Sequence, residues 1–592
     1  MGRFFLSAFF AAVVWIPSSV AQKPANANLD VQYVGTEACI SCHKDQYETY
    51  LETRHSRSME KVDPDKELTS KSFTHQLSGN DYEVLRRGDE VIHKEILRGA
   101  DGTELASTEK PIVYTIGSGD HGKSYVYQDG KFFGQSPLSF YEETQRWAMS
   151  PGYDLAFHPG FGRKLTSECF FCHVGSIDQK LGNPNDFTVL ELTIGCERCH
   201  GPGELHVARH EVAKQSSGDD NTIVNPVKLS RERSEAICQQ CHLQAAGKAL
   251  MSGKNEWDYR PGLPLTDYRI DYQYRLGDDT MRIVGHVEQL HMSKCYQQTE
   301  SLTCITCHDP HHTPPPGDAE AFYRSICFSC HNDEDCGETH RKRIDLANND
   351  CSQCHMPAQG TEVAHTAFHH HRIGIHGGTK SGTEPIVGLT SVLDVSRLSE
   401  LDRRRCEALA KFQVAQEQSE NPLFRDYGIE SAKVLIDVKN KGRADADVNT
   451  ILAMLALSQG QPAISKDLAS EVVDTETKPS RPRIESLRLL GQLAYQRREF
   501  AKAVEYYREV TKYQAEPFDY FQLGVAEQNS GDSPRAVAAL KMAVTLAPNY
   551  VDAHQLLSAI LRLQGRALES ARHADLAERH KQRLEKLQAM AP

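Results

Sequence analysis

One short pattern, Cys-x-x-Cys-His, occurs seven times in this chain of 592 residues and uses fourteen of its seventeen cysteines. The copies are Cys39, Cys42 and His43; Cys169, Cys172 and His173; Cys196, Cys199 and His200; Cys238, Cys241 and His242; Cys304, Cys307 and His308; Cys327, Cys330 and His331; and Cys351, Cys354 and His355. Composition alone predicts about 0.02 copies. Two thiols three residues apart can form thioethers with both vinyl groups of one haem, and the next residue, His, then reaches the iron from the same turn. Zinc would need the motifs to pair into Cys₄ or Cys₂His₂ sets and would not require His after every second Cys. A redox dithiol needs one such motif. The repeat therefore implies seven covalent haems c, with short helices and long loops wrapped around cofactors that replace much of an ordinary core.

The remaining cysteines are Cys295, Cys336 and Cys406. In an oxidising compartment the first two are expected to form a disulfide near the fifth and sixth motifs. Cys406, in a charged helical stretch, reads as a free thiol. Export is expected on separate grounds. Arg3, the apolar run Phe4–Ile16 and the small residues Ser19-Val20-Ala21 form a signal peptide over residues 1–21, rather than a retained anchor helix. No later run is apolar enough to cross a bilayer, so the mature chain is expected outside the cytoplasm, in the periplasm or beyond. The net charge of −13, with no basic stretch, excludes nucleic acid as a partner.

The chain divides by texture. Residues 22–376 carry every motif and 24 of the 27 histidines. Within them, about 72–139 reads as a small β insertion after the first motif, with turns at Gly88-Asp89 and Asp129-Gly130. Residues 377–394, rich in glycine, read as a linker. Residues 395–592 repeat: Gly491 to Gly524 is 33 residues and Gly524 to Ser558 is 34, with small residues recurring, which is the tetratricopeptide period. The expected fold is mainly α, a multihaem cytochrome domain followed by an α-solenoid. The solenoid would serve as a helical cap or as a docking surface for a redox partner.

Cys196-Glu-Arg-Cys199-His200-Gly-Pro-Gly-Glu-Leu-His206, Cys304-Ile-Thr-Cys307-His308-Asp-Pro-His311 and Cys351-Ser-Gln-Cys354-His355-Met-Pro resemble multihaem cytochromes of the cytochrome c-552/4 group. That group is related to cytochrome c554 and, more distantly, to hydroxylamine oxidoreductase and pentahaem nitrite reductase. The similarity extends over most of residues 35–376, including Ile116–His121 and His365-Thr-Ala-Phe. The resemblance implies electron transfer between close haems, mostly with two His ligands each, and in several relatives one haem left open for chemistry. The Lys-ligated haem of the nitrite reductases has no counterpart, since all seven motifs end in His.

Placement near a motif, or the family pattern, nominates His55, His121, His206, His286, His311, His365 and His371 as distal ligands. His158, His210, His291 and His340 stand in reserve. His75 and His93 fall in the β insertion and are not expected to bind iron. At most one of His369, His370 and His371 should reach a haem, and Met59 and Met356 are minor alternatives. The favoured function is an electron carrier. The alternative is an oxidoreductase acting on a small nitrogen or sulfur compound at one open haem, with residues such as Arg163, Lys164 and Tyr259 available to bind an anion.

Overall fold

The computed structural model describes residues 23–118, 121–212, 219–276, 285–315, 317–358, 369–376, 386–418 and 421–590. The expected signal segment, 1–21, and His365 lie outside the described residues.

Alternating apolar residues and tight turns build a nine-stranded antiparallel sheet from β1 (Met59–Lys61), β2 (Lys71–Thr74), β3 (Asp81–Arg87), β4 (Glu90–Arg98), β5 (Glu104–Ile116), β6 (Gly122–Asp129), β7 (Phe132–Tyr141), β8 (Arg146–Met149) and β9 (Lys164–Leu165). The order is β2-β3-β4-β5-β6-β7-β8, with β1 on β5 and β9 on β7. The β3–β4 and β6–β7 hairpins turn where Gly88 and Gly130 take φ of 61° each, a conformation that costs glycine little. Tyr82, Val84, Ile112, Tyr125, Leu138 and Phe140 form its core. The sheet is a large body rather than a small insertion, and the fold is mixed α and β rather than mainly α. The long polar strands explain the difference: β5 carries Glu104, Glu109, Lys110 and Pro111, so little of it reads as strand from pattern alone.

The haem motifs occupy short helices and loops beside this sheet. Among the helices here, α1 (Glu204–Val212) follows the third motif, α2 (Arg231–His242) ends in the fourth, and α3 (His286–His291) opens on the distal candidate His286. Two hairpin strands, β10 (Ser176–Gln179) and β11 (Phe187–Glu191), follow the second motif. A second sheet joins β12 (Gly247–Leu250), β13 (Arg269–Leu276) and β14 (Ile386–Ser391). β14 lies within the stretch expected to be a linker, and there it is paired with β13. Cys295 and Cys336 are not joined.

Ten helices complete the chain: α4 (Glu400–Glu417), α5 (Pro422–Asn440), α6 (Ala446–Ser458), α7 (Pro462–Thr475), α8 (Arg481–Gln496), α9 (Phe500–Tyr513), α10 (Pro517–Asn529), α11 (Ser533–Leu546), α12 (Val551–Leu563) and α13 (Ala567–Met590). They pack as five successive hairpins. The repeated glycines have a steric cause. A Cβ on Gly491 would sit 2.9 Å from the Tyr507 ring, and one on Gly524 would sit 2.7 Å from Leu540 Cγ.

The solenoid lies along the rest of the molecule. Cys406, Leu409 and Ala410 of α4 share a core with Ala249, Ile270 and Tyr272 of the second sheet. Arg405, fully buried, donates to the Leu250 carbonyl at 2.7 Å and pairs with Asp445 at 2.6 Å. Midway, Asn183 donates to the Tyr513 carbonyl at 3.1 Å. At the far end Arg583 of α13 donates to Asn80 Oδ1 at 3.0 Å, beside the buried Glu95. Among the described residues no helix is long and apolar enough to cross a membrane.

Candidate haem sites

In four of the Cys-x-x-Cys-His motifs the span from the first Cys to His closes one helical turn. The His43, His200, His308 and His331 amides donate to the carbonyls of Cys39, Cys196, Cys304 and Cys327, each at 3.0 Å. This bond sets the imidazole one turn beyond the first thiol, so the three haem-binding groups project from one side.

Four motif histidines face a second imidazole. An imidazole nitrogen binds a first-row metal at about 2 Å, so two rings on opposite sides of one iron have centroids roughly 6.2 Å apart. His43 and His206 stand 6.2 Å apart at an interplanar angle of 26°, and His200 and His311 5.9 Å apart at 15°. His308 and His371 stand 6.1 Å apart at an interplanar angle of 27°. His242 faces two rings edge-on, His55 at 6.1 Å and His286 at 6.0 Å. Burial lowers the pKa of His55, His200 and His308, and pushes His286 down to about 3 and His371 to about 4. Burial thus favours the neutral form that binds metal.

Second partners fix the tautomers. Nδ1 of His200 donates to the Val224 carbonyl at 2.8 Å, that of His371 to His369 at 2.8 Å, and that of His355 to Gly374 at 3.1 Å. His206 Nδ1 donates instead to the Asp220 carboxylate at 2.8 Å. In every case Nε2 is left for a metal. The residues fit the cofactor that the motifs imply.

The motifs also adjoin one another. The Thr36 hydroxyl, just before the first motif, accepts from the Cys196 amide of the third at 3.1 Å; Gln240 Nε2 of the fourth donates to the Arg198 carbonyl of the third at 2.9 Å, and Arg198 Nη2 donates to the Phe171 carbonyl of the second at 2.8 Å. These bonds tie the first four motifs to one another.

The other candidates fall elsewhere. His121 Nδ1 lies 3.4 Å from Glu143, and the His173 carbonyl accepts from Ser58 Oγ at 2.9 Å. His331 is exposed, with Nδ1 3.8 Å from Asp335. His158 bonds Tyr82 and the Gly160 amide, His291 bonds Glu235, and His210 shares Asp220 with His206. His340 opens an exposed helix. His75 and His93 lie in the large sheet, bonded to Ser78 and Asp154, and to Ser136. Met59 is wholly buried with Val126, Phe133 and Phe170. Met356 ends the last motif helix. Of the anion-binding candidates, Arg163 stacks on Tyr153 and Lys164 joins β9 to the sheet, while Tyr259 is buried against Ala236 and Leu265.

Sequence reasoning passed over Asp220, Val224 and Arg198. Arg198, within the third motif, is 5 % exposed and stacks between Phe171 of the second motif and Trp257. It donates to the Phe171 carbonyl at 2.8 Å and borders a cavity of about 150 Å³ with Tyr33, Gly175 and Ile177. A buried arginine between two motifs was the available signal.

Parts of the chain match known proteins. Residues 38–85 and 150–201 match the family described as cytochrome c554 and c-prime, and residues 298–335 match a doubled CXXCH motif. Cytochrome c-554 of Nitrosomonas europaea is 30% identical over 112 residues, which is 18% of this chain and 47% of that protein. The chain thus matches about half the length of that curated relative. Solved structures of MamA include one at 14% identity covering 29% of this chain and 96% of its own, with a TM-score of 0.26. Another, MamA 41-end from Desulfovibrio magneticus RS-1, is 17% identical over 29% of this chain and 95% of its own, with a TM-score of 0.25.

The motifs, their paired imidazoles and these matches define a multihaem c-type cytochrome. Within that class, the part of the chain that opens with the first three motifs is similar to cytochrome c554.

Proposed function

We propose that the chain is an exported electron carrier holding seven haems c, with redox partner proteins at its ends and a solenoid whose remaining surface receives one of them. The carrying observation is the set of imidazole pairs spaced to span an iron: His43 with His206, His200 with His311, His308 with His371, and His242 with His55 or His286. Bound haem would supply a one-electron iron couple, and the chain's own residues do the rest. The motif cysteines would hold the haems covalently, the motif histidines and their facing imidazoles would ligate the iron, and the adjoining motifs would keep the sites near enough for electrons to pass.

The test is mass and spin state together. The mature, denatured chain should exceed its polypeptide mass by seven haem units, and a lower count would leave a motif without its cofactor. Oxidised irons should be six-coordinate and low-spin, and the reduced protein should bind little carbon monoxide.

The cavity beside Arg198 favours a second reading, an oxidoreductase acting on a small nitrogen or sulfur anion near the second motif. About one high-spin iron in seven, with ligand binding and turnover, would replace the carrier reading by this one.

A further inference from the structure

The short segment Asp219–Asn225 supports imidazoles of two adjoining sites in chemically different ways. Asp220 Oδ2 accepts from His206 Nδ1 at 2.8 Å and from His210 Nε2 at 3.0 Å. Its Oδ1 accepts from Arg209 Nη1 at 3.0 Å, from the Thr222 amide at 2.9 Å and from the Thr222 hydroxyl. Four residues on, the neutral Val224 carbonyl accepts from His200 Nδ1 at 2.8 Å. His206 faces His43 of the first motif, and His200 faces His311. The two motifs adjoin where the Thr36 hydroxyl, three residues before Cys39, accepts from the Cys196 amide at 3.1 Å.

A carboxylate on Nδ1 draws that proton away from the ring and makes Nε2 a stronger donor, more than a neutral carbonyl does. A stronger axial donor stabilises ferric over ferrous iron and lowers the potential. Arg209 offsets part of the Asp220 charge but binds the other oxygen, so Oδ2 remains directed at His206 and His210. The His200 site has the same kind of ligand without the anionic acceptor.

We propose that Asp220 is a positioning residue that gives His206 partial imidazolate character, setting the iron between His43 and His206 at a lower potential than the iron between His200 and His311. The segment thereby builds a directional step between two adjoining sites. One electron leaves ferrous iron at the first site and reduces ferric iron at the second, with no proton gained or lost and no other reactant.

The inference rests on the reading of His206 as a distal ligand, so two variants of the full, haem-loaded protein are measured side by side. Asp220→Asn keeps the shape and an acceptor oxygen and removes the charge. The seven-haem mass should persist. One iron should bind its electron about tenfold more tightly, a rise of about 59 mV in its midpoint, and one low-spin resonance should shift. Unchanged midpoints would overturn the inference. His206→Ala should turn one iron high-spin. If it does not, the ligand assignment itself fails, an outcome distinct from failure of Asp220→Asn alone. If Asp220→Asn loses haem, Asp220→Glu decides the matter: retention of the wild-type potentials supports the role of the charge, and a raised midpoint rejects it.

Discussion

His93 shows how a single residue can be read correctly for one purpose and remain opaque for another. It lies on β4, fully buried, with Nδ1 2.7 Å from Ser136 Oγ and its ring edge-on to Trp147. Burial pushes its imidazole down to about 3, from an ordinary value near 6.5. Between those values the unfolded chain binds a proton that the folded chain does not. Stability should therefore fall as pH falls from about 6.5 toward 3, by up to about 1.4 kcal/mol per unit. Urea unfolding of the sheet followed across that range should show the slope, and His93→Phe should flatten it. A slope unchanged by the substitution would assign the acid sensitivity to other groups. The strand pattern placed His93 in the β part of the chain, and the structure places it on β4. The motif cysteines and histidines were legible because the chemistry is confined to five consecutive residues. Distal pairing was legible only as a set of candidates. His206 and His311 follow a motif closely in sequence, whereas His371 meets His308 from 63 residues further along the chain. Asp220 left no trace in the pattern, because a carboxylate that supports a ligand resembles any surface aspartate.

Among the elements, the solenoid helices carried their own signal and the large sheet did not. A period of 33 and 34 residues, with Gly491 and Gly524 in register, reflects a packing need. At Gly524 the space for a side chain is closed by Leu540 Cγ and, at 3.2 Å, by the Ala536 carbonyl, which cannot swing aside. Gly524→Ala should gain about 1 kcal/mol of helix propensity and lose about 1–3 kcal/mol to overpacking. The expected result is net destabilisation in thermal unfolding followed by helical circular dichroism. Gly428, in α5, has nothing within 4 Å of the same position, and Gly428→Ala should instead stabilise by up to about 1 kcal/mol. Opposite signs at two helical glycines distinguish packing from propensity. The sheet was recognised only at its hairpins, where glycine takes positive φ. Its outer strands escaped because β1 is three residues long and β9 two, too short for alternation to register.

At the scale of the whole molecule, the solenoid and the haem-bearing part share structure, and that changes what a fragment should do. A repeat array is expected to fold alone because each hairpin buries its neighbour's face. Here the first hairpin also completes the second sheet. Cys406, Leu409 and Ala410 pack on Ala249, Ile270 and Tyr272, and Arg405 reaches the Leu250 carbonyl. The glycine-rich stretch read as a linker supplies β14, so the join is a shared core rather than a tether. A fragment from Ser396 to the C-terminus would expose the apolar side of α4 and leave Arg405 without one of its acceptors. A fragment from Ala446 removes that hairpin and keeps the four that pack mainly on each other. The shorter fragment should be the better behaved, with cooperative helical unfolding and little binding of a hydrophobic dye. The longer one should bind the dye and unfold in two phases, the first belonging to α4 and α5. Equal behaviour of the two would mean that α4 does not depend on the sheet. In that case the solenoid would be an independent docking module, carried by the haem-bearing part rather than built into it.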